Sequence, residues 1–182
     1  MSEQAPLLRV EHLKKYFTSK KKFLESKPKT VRAVDDVSFE IRRGETFGVV
    51  GESGCGKSSL GRTILRLHEP DAGKVIYHGV DLSTLSAKEM RDYRRKMQII
   101  FQDPYASLNP RMTVKELICA PLDVFEIGVK AEREQAVLDM MTKVGLPHEY
   151  LNRYPHEFSG GQRQRIMIAR ALILNPEFVV CD

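Results

Sequence analysis

The sequence predicts an α/β domain in which short strands alternate with helices around a mainly parallel sheet. Two kinds of segment support this fold class. Apolar runs typical of buried strands occupy residues 46–50, 97–101 and 178–181. Between them lie stretches with helical periodicity, such as Leu60, Ile64 and Leu67, which recur at the spacing of one helix face.

The remaining segments continue this alternation. Residues 75–77 are typical of an alternating strand, and residues 87–96 of a charged surface helix. Residues 113–155 are predicted to be helical. Within this range, Gly145 and Pro147 predict the end of one helix. One helix face before that stop is formed by Val137, Met140, Met141 and Val144. A last helix is predicted over residues 159–174.

Composition indicates an ordinary soluble domain. The chain has 182 residues, of which 42% are hydrophobic and 29% are charged. No apolar run approaches the roughly 18 residues that span a bilayer, and no secretory leader pattern is visible, so a cytoplasmic location is expected. The cysteines Cys55, Cys119 and Cys181 lack CxxC spacing, so we interpret them as packing thiols.

The basic balance of the chain could indicate an acidic partner. The net charge is +5, and lysines cluster near the amino terminus: Lys14, Lys15, Lys20, Lys21, Lys22, Lys27 and Lys29. Pro28 interrupts this cluster. We therefore interpret it as a solvated loop and predict no nucleic-acid partner.

The first motif that carries chemistry is GESGCGKS at residues 51–58, which matches GxxxxGK[ST] between a predicted strand and a predicted helix. Its glycines, Gly51, Gly54 and Gly56, let backbone N–H groups approach phosphate oxygens. Lys57 would add positive charge at the β and γ phosphates, and the Ser58 hydroxyl could coordinate Mg²⁺. The predicted nucleotide-binding loop also includes Glu52, Ser53, Cys55 and Ser59.

Other nucleotide-binding patterns fit less well. A dinucleotide fingerprint would require a third glycine where the sequence has Ser59. No NKxD string is present to recognise guanine, which lowers the case for a GTPase.

A second motif decides among the remaining P-loop proteins. Residues 158–162 read FSGGQ, which alone would indicate only a helix start capped by Ser159. Along the chain, Gln102 follows a predicted buried strand between the glycine-rich motif and FSGGQ, and Asp182 ends a further predicted strand after FSGGQ. These ordered motifs resemble the ABC ATPase family, whose signature is usually LSGGQ; Phe158 replaces the leucine. The resemblance extends from about residue 7 to residue 182.

The resemblance implies a P-loop NTPase (RecA-like) core with an N-terminal antiparallel β subdomain and an inserted α-helical subdomain. It assigns residues 7–104 and 159–182 to the β subdomain and core, and residues 105–158 to the helical subdomain. The resemblance also implies the roles of the site residues. Phe17, in preference to Tyr16, would stack on adenine, and ATP would also contact Ser159, Gly160, Gly161 and Gln162. The residues implied in catalysis are Lys57, Gln102 and Asp182, and those implied at Mg²⁺ are Ser58, Gln102 and Asp182.

The stretch FQDPYASLNPRMTV at residues 101–114 narrows the resemblance to importers of oligopeptides and dipeptides. It implies a peripheral subunit on the inner face of the cell membrane that docks on a permease through Gln102 and the helical segment. Peptides, or occasionally nickel chelates, would come from an extracytoplasmic binding protein. A second ABC ATPase domain, identical or paralogous, would complete a head-to-tail dimer.

The sequence departs from the family pattern at its end. Asp182 is the last residue, so the glutamate after it, the switch histidine and the C-terminal part of the core are absent. We expect a truncated sequence that binds Mg·ATP weakly and hydrolyses it poorly alone. Two alternatives stay open: a soluble ABC ATPase without a permease, and a non-hydrolysing nucleotide-binding module.

Overall fold

The computed structural model describes residues 5–19 and 29–182 of the chain. The chain divides into two compact units, Met1–Met90 and Arg91–Asp182. Lys20 to Lys22 and Lys27 of the lysine cluster lie outside the described residues. Lys14 and Lys15 lie in a strand, so the interpretation as a solvated loop is wrong for them. Within the described ranges, no helix is long and apolar enough to cross a membrane.

The first unit is built on a four-stranded antiparallel sheet. Its strands are β1 (Leu8–Thr18), β2 (Thr30–Ile41), β3 (Ala72–Tyr77) and β4 (Val80–Asp81), in the order β2-β1-β3-β4. Alternate apolar side chains of these strands form the core on one face, and Leu8, Leu13 and Tyr77 are fully buried. The expected antiparallel β part and the strand at residues 75–77 are confirmed.

Helix α1 (Lys57–Ile64) follows the glycine-rich loop and packs on the sheet of the first unit. Leu60 and Ile64 are buried, as their spacing predicts. Leu67 lies beyond the end of the helix and is 46% exposed, so its assignment to the same face is wrong. The helix stops early because the next turn adopts a left-handed conformation at Arg66, with φ of 52°.

The prediction of a buried strand at residues 46–50 is also wrong. These residues form no β-ladder with any strand in the described ranges, and Val50 is 96% exposed. Phe47 instead stacks on Phe39, with ring centroids 4.7 Å apart. Apolar composition expresses a preference for burial, but a strand also needs a neighbouring backbone with which to pair.

The second unit contains a parallel pair of strands and most of the helices. The strands are β5 (Met97–Ile100) and β6 (Phe178–Cys181). The helices are α2 (Ala87–Lys96), which continues from the first unit, α3 (Pro104–Ser107), α4 (Val114–Val124), α5 (Lys130–Lys143) and α6 (Gly160–Leu172). Except near 46–50, the predicted elements are therefore present, with ends shifted by a few residues. The prediction of a mainly parallel sheet is wrong for the described residues, where only β5 and β6 pair in parallel.

Helix ends in the second unit follow from local chemistry. Thr113 and Glu116 form a reciprocal capping box at the start of α4. Helix α5 buries Val137, Met140 and Met141, and Gly145 after it adopts φ of 69°. These methionines are core residues, as predicted.

The interpretation of the cysteines as packing thiols is wrong for Cys55 and Cys181, which are exposed. Cys55 lies in the glycine-rich loop, and Cys181 is the last residue of β6. Cys119, on α4, is half-buried. All three thiols are free.

The bend at the start of β3 provides a test of the first unit. Gly73 has φ of 83°, and a Cβ there would lie 2.3 Å from the carbonyl oxygen of His12 and 2.5 Å from that of Glu11. Gly79 has a similar φ of 79° but open space around it. Gly79→Ala should therefore lower the free energy of unfolding by about 1 kcal/mol, and Gly73→Ala by more than about 3 kcal/mol. Urea denaturation followed by circular dichroism measures both, and equal losses would contradict the close approach.

Candidate nucleotide site

The glycine-rich loop of the first unit lies directly against strand β2. Gly56 has φ of 103°, and a Cβ there would lie 1.9 Å from the carbonyl oxygen of Ala33. Gly54 also adopts a left-handed conformation, with φ of 80°. A side chain at position 56 would clash with backbone, so glycine is required for the loop to turn into α1 at this point.

Lys57 lies over the loop rather than extending into solvent. Its ammonium group donates hydrogen bonds to the carbonyl oxygens of Gly51, at 2.8 Å, and Glu52, at 2.6 Å. It also lies 3.7 Å from the sulfur of Cys55. The positively charged ammonium group of Lys57 therefore lies at the loop, next to the start of α1.

The start of α1 completes an environment suited to anions. The first helical hydrogen bond runs from the Leu60 N–H to the Gly56 carbonyl oxygen, at 2.8 Å. The preceding N–H groups have no carbonyl of their own helix to bind, and the first turn contains no acidic residue. Glu52 and Ser53 are exposed, whereas Ser58 and Ser59 are half-buried in this turn. The helix dipole adds partial positive charge at the same end.

Phe17 lies on β1 opposite Val31 of β2. It is 39% exposed, and its ring meets that of His68 nearly edge to face, with centroids 5.3 Å apart. Because Ala33 lies two residues from Val31, one short stretch of β2 contacts both the loop and the strand that carries Phe17. The first unit thus attaches both predicted parts of a nucleotide site to β2.

Tyr16, the neighbour of Phe17, makes side-chain contacts of its own on the sheet. Its hydroxyl donates a hydrogen bond to the Asp35 carboxylate, and the Arg32 guanidinium lies 5.6 Å from its ring centroid. The hydrogen bond to Asp35 raises the pKa of the Tyr16 hydroxyl and lowers the pKa of the Asp35 carboxyl.

In the second unit, Gln102 and Asp182 follow neighbouring parallel strands. Ile100 of β5 pairs with Cys181 of β6, and the Asp182 N–H donates to the Ile100 carbonyl oxygen at 2.9 Å. Gln102 is exposed, and Asp182 is half-buried. Parallel strands place their carboxyl ends at one edge of a sheet, so the structure brings these two predicted residues to the same edge.

The FSGGQ motif forms the start of α6. Ser159 is the N-cap: its hydroxyl accepts a hydrogen bond from the Gln162 N–H at 3.4 Å, and the Gln162 side-chain oxygen accepts one from the Ser159 N–H at 3.0 Å. A Cβ at Gly161 would have nothing within 4 Å, and one at Gly160 would meet the Tyr105 hydroxyl at 3.9 Å. The glycine backbone is therefore open to approach.

Sequence reasoning missed two arginines of α6 that hold the Gln102 stretch. The Arg163 guanidinium lies 4.1 Å from the ring centroid of Tyr105 and donates from Nε to the Phe158 carbonyl oxygen at 3.0 Å. Arg170 donates to the Ser107 carbonyl oxygen at 2.7 Å, and burial lowers its pKa. Tyr105, three residues after Gln102, and Arg163, directly after Gln162, were the available signals.

Comparisons with known proteins show the family. The profile of the family described as ABC transporter matches residues 34–182. The chain is 56% identical to YkfD of Bacillus subtilis (strain 168), provisionally described as an oligopeptide transport ATP-binding protein, over 97% of this chain and 52% of YkfD. It is 53% identical to the oligopeptide transport ATP-binding protein OppF of the same organism, over 97% of this chain and 56% of OppF.

The fold is also that of solved ABC proteins. A dimeric structure of the ATP-binding cassette MJ0796, bound to ADP and Pi, matches with a TM-score of 0.83 and 30% identity, covering 96% of this chain and 73% of that one. The chain spans about half the length of the curated relatives, 52% of YkfD and 56% of OppF. The matched residues include the glycine-rich loop before α1 and the FSGGQ motif at the start of α6, and the chain belongs to the ABC transporter family.

Proposed function

We propose that this chain is the ATP-binding part of an ABC importer subunit that couples ATP binding and hydrolysis to uptake of oligopeptides or dipeptides. The observation that carries the ATP assignment is the loop at residues 51–56, held against Ala33 with Lys57 folded over it. The peptide assignment is supported by the names of YkfD and OppF and by the importer-like stretch at residues 101–114.

In this proposal the phosphates of ATP bind at residues 51–59. The carbonyl groups that now accept from Lys57 would give up those hydrogen bonds, and the ammonium would turn to the β and γ phosphates. Backbone N–H groups at the start of α1 supply further donors. Adenine would stack on Phe17, whose ring is partly exposed on the same β-sheet.

The oxygen donors of the proposed site suit Mg²⁺, which prefers carboxylate, hydroxyl and phosphate oxygens and retains several waters. Ser58 would provide a hydroxyl, and Gln102 and Asp182 would provide an amide oxygen and a carboxylate. When bound, Mg²⁺ would neutralise charge on the β and γ phosphates. Gln102 and Lys57 would help to orient the γ phosphate for attack by water.

The FSGGQ helix would serve a second ABC ATPase domain in a head-to-tail dimer. Ser159, Gly160, Gly161 and Gln162 would contact ATP bound at the P-loop of the partner, since a helix start with open glycine backbone favours anions. That the solved relative is a dimer bound to ADP and Pi supports this arrangement.

The importer assignment also supplies the location and the other partners. The chain would lie on the inner face of the cell membrane, with Gln102 and the helical segment at residues 105–158 docked on a permease. A binding protein outside the membrane would deliver the peptide.

Replacing Lys57 tests the ATP site. Lys57→Ala should weaken ATP binding by the 182-residue chain at least about tenfold, because it removes a charge-assisted contact to phosphate. Titration with a fluorescent ATP analogue in the presence of Mg²⁺ measures this loss. Lys88→Ala, an exposed change on α2, is the matched control and should leave affinity unchanged. An unchanged affinity for Lys57→Ala would contradict the P-loop assignment.

The transport assignment is tested in the complete transporter, reconstituted in vesicles with its permease and binding protein. Uptake of a radiolabelled oligopeptide should require ATP and should fall to background with Lys57→Ala, since the ammonium contacts the phosphates that are cleaved. ATP-dependent uptake of nickel chelates without uptake of peptides would reassign the substrate. Turnover without any uptake would favour an ABC ATPase that does not transport.

The stacking of Arg163 on Tyr105 yields a further expectation for hydrolysis. Arg163→Lys keeps the charge but loses the planar contact, so ATP turnover in the complete transporter should fall about three- to tenfold. Binding of ATP to the P-loop should be unaffected. Arg165→Lys is the matched control, because Arg165 bonds instead to the carbonyl oxygens of Val144 and Gly145. Equal turnover by the two variants would show that the Tyr105 contact has no role in hydrolysis.

A further inference from the structure

The turn between α1 and β3 holds the end of β1 that carries Phe17. Asp71, in this turn, accepts a hydrogen bond from the Tyr16 N–H at 2.6 Å through its carboxylate. Its own N–H donates to the Lys14 carbonyl oxygen at 2.9 Å. The turn and the strand are therefore joined by two hydrogen bonds, immediately before Phe17.

The carboxylate of Asp71 accepts a hydrogen bond from a backbone N–H of β1 that lies beyond the pairing with β3. Pairing between β1 and β3 ends at Lys14 and Ala72, so the Tyr16 N–H lies past the end of that ladder. A buried or half-buried N–H needs an acceptor, and Asp71 supplies one. Without it, the last residues of β1 would be paired through β2 alone in the described part of the sheet.

Lys15 connects the same carboxylate to the aromatic ring. Its ammonium lies 3.3 Å from Asp71 Oδ2 and 5.5 Å from the ring centroid of Phe17, and its side chain is 15% exposed. The hydrogen bond from the Tyr16 N–H, with that from Lys15, lowers the pKa of the Asp71 carboxyl. The carboxylate therefore remains ionised well into the acidic range, and its contribution is lost as the pH falls through the lowered pKa.

His68 supports the ring from the same turn. Its edge-to-face contact with Phe17, at an interplanar angle of 84°, is the arrangement that aromatic pairs favour. The turn itself is fixed by Arg66, which bonds to Glu69 at 2.9 Å and to the carbonyl oxygens of Leu82 and Leu85. His68 and Asp71 thus lie on a turn that the contacts of Arg66 hold in place and that directly follows α1.

We propose that His68 and Asp71 are positioning residues for adenine: they fix Phe17 relative to the helix whose start receives the phosphates. The inference rests on the proposed ATP site and adds a determinant of base recognition to it. Neither residue needs to touch ATP. Replacing either residue should therefore weaken the binding of a ligand that carries adenine and leave the binding of phosphate alone unchanged.

The experiment compares ATP with inorganic tripolyphosphate, which has the phosphates but no base. Calorimetric titration of the 182-residue chain, with Mg²⁺, gives both dissociation constants. Asp71→Ala and His68→Ala should each weaken ATP binding about three- to tenfold, since they loosen a stacking platform, and should change tripolyphosphate binding less than about twofold. Asp71→Asn, which keeps an oxygen for the Tyr16 N–H, and His68→Phe, which keeps a ring, should recover much of the loss.

Two controls separate positioning from general destabilisation. Asp81→Ala removes a comparable carboxylate, which accepts from the Ser83 N–H at 2.9 Å, and should leave the ratio of the two dissociation constants unchanged. In a Phe17→Ala background, Asp71→Ala should have no further effect on ATP binding, because the ring that it positions is gone.

The outcomes distinguish this inference from the proposed function. If the unaltered chain binds neither ligand, or if Lys57→Ala leaves tripolyphosphate binding unchanged, the ATP site itself is wrong and the inference falls with it. If binding depends on Lys57 but the Asp71 and His68 variants weaken both ligands equally, or neither, the ATP site stands and the positioning role is overturned. An undiminished effect of Asp71→Ala in the Phe17→Ala background would also overturn it.

Discussion

The first unit depends on the contact between the backbone of Gly56 and the carbonyl oxygen of Ala33. An added Cβ would lie 1.9 Å from that oxygen, which leaves no room for any side chain. This contact fixes where α1 begins, and thereby the direction of its dipole and the position of Lys57. Since β2 also pairs with the strand that carries Phe17, one strand sets the position of both parts of the proposed nucleotide site.

The second unit has a corresponding constraint in α6. Its first turn presents the FSGGQ backbone, and its side chains Arg163 and Arg170 hold the segment that follows Gln102. One contact is the stacking of Arg163 on Tyr105, and the other is the hydrogen bond from the half-buried Arg170 to Ser107. The segment after Gln102 therefore packs directly on the FSGGQ helix.

Much of this organisation could be predicted from the sequence because it depends on local signals. Periodicity located α1 and α5, glycine marked the loop, and Ser159 marked a helix cap. The prediction of a strand at residues 46–50 failed because strand pairing depends on distant parts of the chain. Residues 46–50 have the composition of a strand but no paired neighbour in the described ranges.

The supporting contacts of the site were also beyond sequence reasoning. Asp71 reaches Tyr16 across 55 positions in sequence, and Arg170 reaches Ser107 across 63. Neither pair forms a motif, because its spacing is set by the fold and not by a helix or strand period. Phe17, Gln102 and Asp182 were recognisable through family order, whereas the residues that hold them in place were not.

The cap of α6 has two halves of unequal strength. The Gln162 side chain binds the Ser159 N–H at 3.0 Å, whereas the Ser159 hydroxyl lies 3.4 Å from the Gln162 N–H, near the limit of a hydrogen bond. In the proposed dimer, the hydroxyl would therefore turn toward a phosphate of ATP bound at the partner while the glutamine still caps the helix. The helix end would keep its shape, so binding there would require little reorganisation of the protein.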